Sequence, residues 1–318
     1  MKKSSDDKSG SSDKSRSGFL SRGRSIALTI IAFLFVFFVI FPLAFSIFDT
    51  SKSGNVALIP ISGPVTVEGD SYLGSSTASS TEIVGFIKEA EKNPRVKVIM
   101  LEINSPGGSA VASDEIASAV RKAEKPVIAL IRETGASGGY WIASSADHII
   151  ANRMSITGSI GVLSSYLEFS GLMEKYGVNY EQLTAGKYKE IGSPFKELSS
   201  DERKILQDKL DKIHQFFIEE IAANRKLPQS KVKAIASGEF FLGAEAYDLG
   251  LIDELGDKDT AEEYIKLNYG LKTVDYAVYE RKTSLLDLFK VMSSNIFFNI
   301  GEGLGAVFIK SGNNLVMV

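Results

Sequence analysis

The chain has 318 residues, enough for one large domain or two smaller ones. It is 44% hydrophobic and 24% charged, with a net charge of -3, so nothing in its balance points to nucleic acid. It has no cysteine, which excludes disulfides, a thiol nucleophile and cysteine–zinc sites, and no cofactor or metal is expected.

Residues 1–25 hold nine serines and three glycines with few apolar residues, and are expected to form a disordered tail. Ile26 to Phe48 is 23 residues without a charge. About 20 apolar residues cross a bilayer core, so this stretch predicts one transmembrane helix, with Pro42 tolerable near its far end. Seven Lys/Arg against three Asp precede it. That bias places the N-terminus in the cytoplasm and everything after Asp49 on the outer side, in a periplasm or outside the cell. A cleaved signal peptide is the rival reading. Its apolar core usually runs to about 7–15 residues, and Ala44-Phe45-Ser46 is only a faint cleavage match.

After a polar linker at 49–55, strand and helix patterns alternate through a domain spanning 56–280. Strands are predicted at Val56–Val65, Val96–Ile103, Val127–Ile131 and His148–Ala151, and helices at Ser80–Glu91, Ser109–Lys125 and Ser137–Ala146. This alternation implies βαβ units and a parallel sheet. Leu198–Arg225 reads as a surface helix packing one face, with Ile205, Leu210, Ile213, Phe217 and Ile221 near helical spacing. The tail at 281–318 carries an apolar helical stripe broken by Gly301, Gly303 and Gly305, suited to core, subunit interface or membrane surface.

The richest motif is Gly135-Ala136-Ser137-Gly138-Gly139-Tyr140-Trp141, between a strand and a helix. A tight glycine turn leaves the Ser137 hydroxyl open and sets backbone N–H groups beside it. Acyl transfer needs both a nucleophile and donors for the oxyanion. A second glycine turn, Asn104-Ser105-Pro106-Gly107-Gly108-Ser109, sits at the preceding strand-to-helix switch.

Such a serine needs a base. His148 lies 11 residues downstream, past a helix that would separate the two by about 16 Å, and reads as structural. His214 reads as a helix-face residue, so a Ser-His-Asp triad fits poorly. The alternative is lysine, whose amine accepts a proton only when neutral. Near pH 7 an ordinary lysine is under ~0.1% neutral, so the role requires an apolar, partly closed site.

Thr157-Gly158-Ser159-Ile160-Gly161, Thr184-Ala185-Gly186-Lys187-Tyr188-Lys189-Glu190 and Gly238-Glu239-Phe240-Phe241-Leu242-Gly243 follow the two turns in order. Together the motifs resemble the signal peptide peptidase A family of membrane-anchored serine proteases, in its short single-unit form, from about Asn55 to Tyr269. The resemblance implies a ClpP/crotonase-like spiral of βαβ units. It sets Ser137 at the nucleophile, Lys189 at the general base, Ser159 at the serine that orients the lysine, and Gly138 with Gly107 or Gly108 at the oxyanion hole. Lys187 is the competing lysine, and an extended segment would put both on one face.

The resemblance further implies digestion of cleaved signal peptides and other unfolded or membrane-released peptides. It also implies a homo-octamer in which neighbouring subunits contribute serine and lysine to each site. An acyl-CoA enzyme of the crotonase type, or a catalytically silent membrane scaffold, are the alternatives on the same fold.

Overall fold

The computed structural model describes residues 29–40, 53–69 and 77–281. The chain divides into two units, Met1–Lys52 and Ser53–Val318. In the first, residues 29–35 are α-helical and Val36–Ile40 continues as a π-helical turn. The expected span Ile26–Phe48 thus lies only partly within the described residues, and no helix among them is long and apolar enough to cross a membrane. The expected tail at 1–25 and nearly all of that at 281–318 lie outside them.

The second unit is a mixed α/β domain. In chain order it runs β1 (Val56–Ser62), β2 (Val65–Thr66), β3 (Ala78–Ser79), α1 (Ser80–Lys92), β4 (Val98–Ser105), α2 (Ala110–Arg121), β5 (Val127–Ala136), α3 (Gly138–Ser144), β6 (His148–Ala151) and β7 (Ile156–Gly158). It continues with α4 (Ser170–Lys175), α5 (Ser200–Asn224), α6 (Gln229–Ile235), β8 (Phe240–Leu242), α7 (Gly243–Leu249), β9 (Glu254–Leu255), α8 (Lys258–Tyr269) and β10 (Tyr276–Val278).

The main sheet has the order β10-β1-β4-β5-β6-β9, with every neighbouring pair parallel. Its central strands are apolar on both faces because both are covered. Ala57, Ile59, Ile99, Leu101, Ala129 and Ile131 face one core, built with α1, α2, α3 and α5. Val56, Leu58, Val98, Met100, Ile128 and Leu130 face a second core under α8. Three helices start where serines cap them: Ser79 accepts from Glu82 N, Ser109 from Ala112 N, and Ser199 with Glu202 forms a capping box.

The strand expected at Val56–Val65 ends at Ser62, and Val65–Thr66 pairs with β3 instead; two further departures lie beside the Ser137 turn. β5 does not stop at Ile131 but runs to Ala136, because β7 takes over as its partner through Thr134, Gly135 and Ala136. The polar pair Arg132-Glu133 hides that continuation in the sequence, being exposed in the strand between two sets of partners. The short strand β8 then pairs with β7 antiparallel, an exception to the parallel sheet.

Candidate active site

Ser137 stands between the end of β5 and the start of α3. Its φ of 51° is left-handed, a strained setting for a residue with a Cβ. Among the described residues only three non-glycines have positive φ: Ser137, Ser159 and Lys226. The first two are both expected site residues, and both line one groove. The strain at Ser137 is held by its surroundings. Its N–H donates to Gly158 O at 2.8 Å and its carbonyl accepts from Trp141 N at 2.9 Å. All seven residues of α3 are buried. Tyr140 donates its hydroxyl to Leu251 O at 2.7 Å, and burial pushes its phenol well above the ordinary value.

The second glycine turn packs directly against the first. A Cβ on Gly107 would sit 2.5 Å from Gly138 N and 3.0 Å from Ser137 Cβ. A Cβ on Gly138 would sit 2.3 Å from Ser113 Oγ and 3.3 Å from Gly108 N. Side chains would force the two turns apart, so glycine is what allows backbone N–H groups to gather beside Ser137. Their occupancy differs. Gly107 donates its N–H to Ser105 Oγ at 3.1 Å, and Ser105 donates in turn to Gly63 O at 2.6 Å. Gly107, Gly108 and Gly138 all line the groove, and of the two expected alternatives it is Gly107 whose N–H is already engaged, by Ser105.

Ser159, at φ 52°, donates its N–H to Glu239 O at 2.9 Å and its hydroxyl to Gly238 O at 3.2 Å. The groove encloses about 990 Å³. Its far wall is α5, which contributes Leu210, His214 and Phe217. The Phe217 ring stacks on Trp141 with centroids 4.7 Å apart.

Sequence comparison shows the family. Peptidase family S49 matches residues 119–272. A chain of Methanocaldococcus jannaschii named as a candidate protease is 32% identical over 245 residues, covering 76% of this chain and 77% of that one. A candidate signal peptide peptidase SppA of Enterococcus faecium is 31% identical over 240 residues, covering 74% and 70%. The chloroplastic serine protease SPPA of Arabidopsis thaliana is 30% identical over 257 residues, covering 78% and 38%.

The chain belongs to peptidase family S49, the signal peptide peptidase A family. It is a serine endopeptidase, which sets aside the acyl-CoA enzyme and the silent scaffold.

The remaining basic side chains of this S49 peptidase separate clearly. His148 lies away from the groove. Its ring stacks on Tyr264 of α8 at 3.7 Å, and its Nε2 is 3.1 Å from Glu254 Oε2. His214 lines the groove, and its buried Nε2 has no hydrogen-bond partner among the described residues. No local motif marks it. Its one signal is helical phase, since Leu210, Ile213 and Phe217 on the same stripe also line the groove.

Lys187 pairs with Asp201 at 3.2 Å and lies over the Tyr188 ring at 4.8 Å. Its contacts with Tyr188 and then Asp201 hold its ammonium above the ordinary lysine value. Lys189 is exposed, donates its backbone N–H to Gly186 O at 3.1 Å, and is not among the residues lining the Ser137 groove of the single chain.

Both lysines ride on the long connection between β7 and α5. None of residues 161–201 is buried, and Leu183 is 99% exposed. The connection is tied to itself: Phe169 N donates to Pro194 O at 2.7 Å, and Tyr180 donates to Glu190 Oε1 at 2.6 Å. Leu163, Leu167, Tyr176 and Leu183 leave it apolar on the outside.

Proposed function

We propose that the chain is a membrane-anchored endopeptidase that degrades cleaved signal peptides and other unfolded or membrane-released peptides with a Ser137–Lys189 dyad. On this reading the α/β domain is a ClpP/crotonase-like spiral, Ile26–Phe48 is its anchor, and the domain works on the outer side of the membrane. The observation that carries the site assignment is the strained Ser137 lining a peptide-sized groove together with Gly108 and Gly138.

The chemistry follows from those positions. The Ser137 hydroxyl attacks the scissile carbonyl while a neutral Lys189 amine takes its proton. The N–H groups of Gly108 and Gly138 hold the oxyanion. Lysine then returns the proton to the leaving amine, and water, deprotonated by the same amine, releases the acyl group from Ser137. Ser159 orients the amine. Lys187 is the weaker candidate for the base, because Asp201 and Tyr188 favour its charged form.

Lys189 reaches a serine from a neighbouring subunit in this reading. An exposed apolar connection is what a partner copy would cover, and a closed ring, with the octamer as the expected size, supplies one partner to every serine.

The test is complementation. Lys189→Ala should remove peptidase activity as completely as Ser137→Ala, because nucleophile and base act as one unit. Lys187→Ala should stay active. Co-assembled Ser137→Ala and Lys189→Ala chains should regain part of the activity. Activity in Lys189→Ala alone would end the dyad, and no recovery in mixed rings would end the shared site.

A further inference from the structure

Beyond the Ser137 groove lies a second, smaller hollow of about 340 Å³ between α2 and α5. The two are continuous, since Ala110, Trp141 and Ile213 line both. The hollow presents exposed apolar side chains, Val111 from α2 and Phe216 from α5. Three carboxylates rim it: Asp114, Glu219 and Glu220. Two cations offset them in part: Arg121, at 2.5 Å from Glu220 and 3.8 Å from Asp114, and Lys212, whose Nζ lies 5.9 Å from the centre of the Phe216 ring, which leaves one carboxylate in excess. Glu219 accepts a neutral hydrogen bond from Gln215 at 2.8 Å and pairs with no cation among the described residues. An apolar floor under a rim with excess negative charge fits one kind of occupant: an apolar side chain with a cation beside it.

We propose that this hollow is a substrate subsite that selects an apolar residue flanked by lysine or arginine, several residues from the bond cut at Ser137. The inference rests on the peptidase reading of the groove and adds a charge preference to it. A peptide lying across Ser137 reaches the rim past the residues that line both, Ala110, Trp141 and Ile213. The cation then meets Asp114 and Glu219 at a distance from the reacting atoms, so it acts on binding rather than on the chemistry.

The test uses Trp141, the single tryptophan of the chain, as its own probe. The full chain carrying Ser137→Ala is held in detergent micelles and titrated with Trp-free Leu/Ala peptides in which one lysine is walked along the sequence. Norleucine at the same place is the control, and Trp141 fluorescence reads binding. At one position lysine should tighten binding about fivefold over norleucine, and the advantage should shrink as salt is raised.

Asp114→Asn with Glu219→Gln, both exposed substitutions, should erase the lysine advantage while leaving the norleucine peptide bound. Phe216→Ala should weaken both peptides. A lysine advantage that survives the double substitution, no favoured position, or no fluorescence response to any peptide would overturn the subsite. Failure of the wild-type chain to cleave these peptides would instead strike the dyad, and the binding measurement would stand apart from it.

Discussion

Ser137 donates its backbone N–H to the carbonyl of Gly158 at 2.8 Å, which ties the turn that strains one serine to the turn that strains the other. Ser159 follows Gly158 directly and is the second non-glycine of the groove with a left-handed φ. The two serines, each directly after the end of its strand, therefore share one rigid frame, β5 paired with β7. Such strain persists only where the surroundings over-determine it, as the fully buried α3 does here.

That strain separates stability from activity. Ser137→Ala should abolish peptide cleavage, by about three orders of magnitude or more, with little change in melting temperature. Ser137→Gly should be equally inactive yet more stable by about 1 kcal/mol, because glycine accepts the positive φ without the Cβ penalty. Thermal melts of the three chains side by side decide this. A glycine variant less stable than the alanine variant would contradict the strain.

Gly107→Ala tests the contact between the two glycine turns. The added Cβ would meet Gly138 N at 2.5 Å and Ala136 O at 2.9 Å, both backbone atoms that cannot swing aside. A stability loss of about 2–4 kcal/mol is expected, together with at least a hundredfold loss of kcat through the displaced oxyanion donors. An active, normally melting Gly107→Ala chain would show that the turns do not need their close approach.

Acid stability is expected to depend on Asp253. Burial raises its carboxyl, but the hydrogen bonds and charge of Arg225, at 2.6 and 2.9 Å, outweigh it and hold the group below the ordinary aspartate value. The stabilisation is therefore present above the unfolded value near ~3.9 and is lost as the pH falls through the lower folded value. Asp253→Asn should cost about 3 kcal/mol at neutral pH by leaving the buried Arg225 guanidinium unpaired. It should also flatten the acid limb of the stability curve, measured by denaturant unfolding from pH 6 to pH 3.

The pH dependence of cleavage reads the base. With an amine as acceptor, kcat/KM should rise toward alkaline pH, and arginine in place of Lys189 should not restore it, since a guanidinium stays protonated. His148→Ala and His214→Ala should both keep their chemistry if folded. His148 is bound up with Tyr264 and Glu254, and His214 has no role as a base in this scheme. A profile that follows loss of either imidazole would overturn the lysine assignment.

What the sequence by itself determined about this protein is local. Strand alternation, helical spacing and glycine turns depend on residues a few positions apart, so α1, β4, β6 and α5 appear close to their expected limits. The Ser137 turn and the family motifs were legible for the same reason. What only the tertiary structure decided depends on partners distant in the chain. β5 runs on through Arg132 and Glu133 because β7 is there to pair with it. Gly107 loses its N–H to Ser105, itself anchored by Gly63, and no spacing rule encodes that. The helix α5, an ordinary amphipathic surface helix in sequence, becomes a wall of the groove because its stripe meets Trp141. Lys189 was named by its motif, yet a single chain leaves it exposed outside the groove, on a connection of which no residue from 161 to 201 is buried among the described residues.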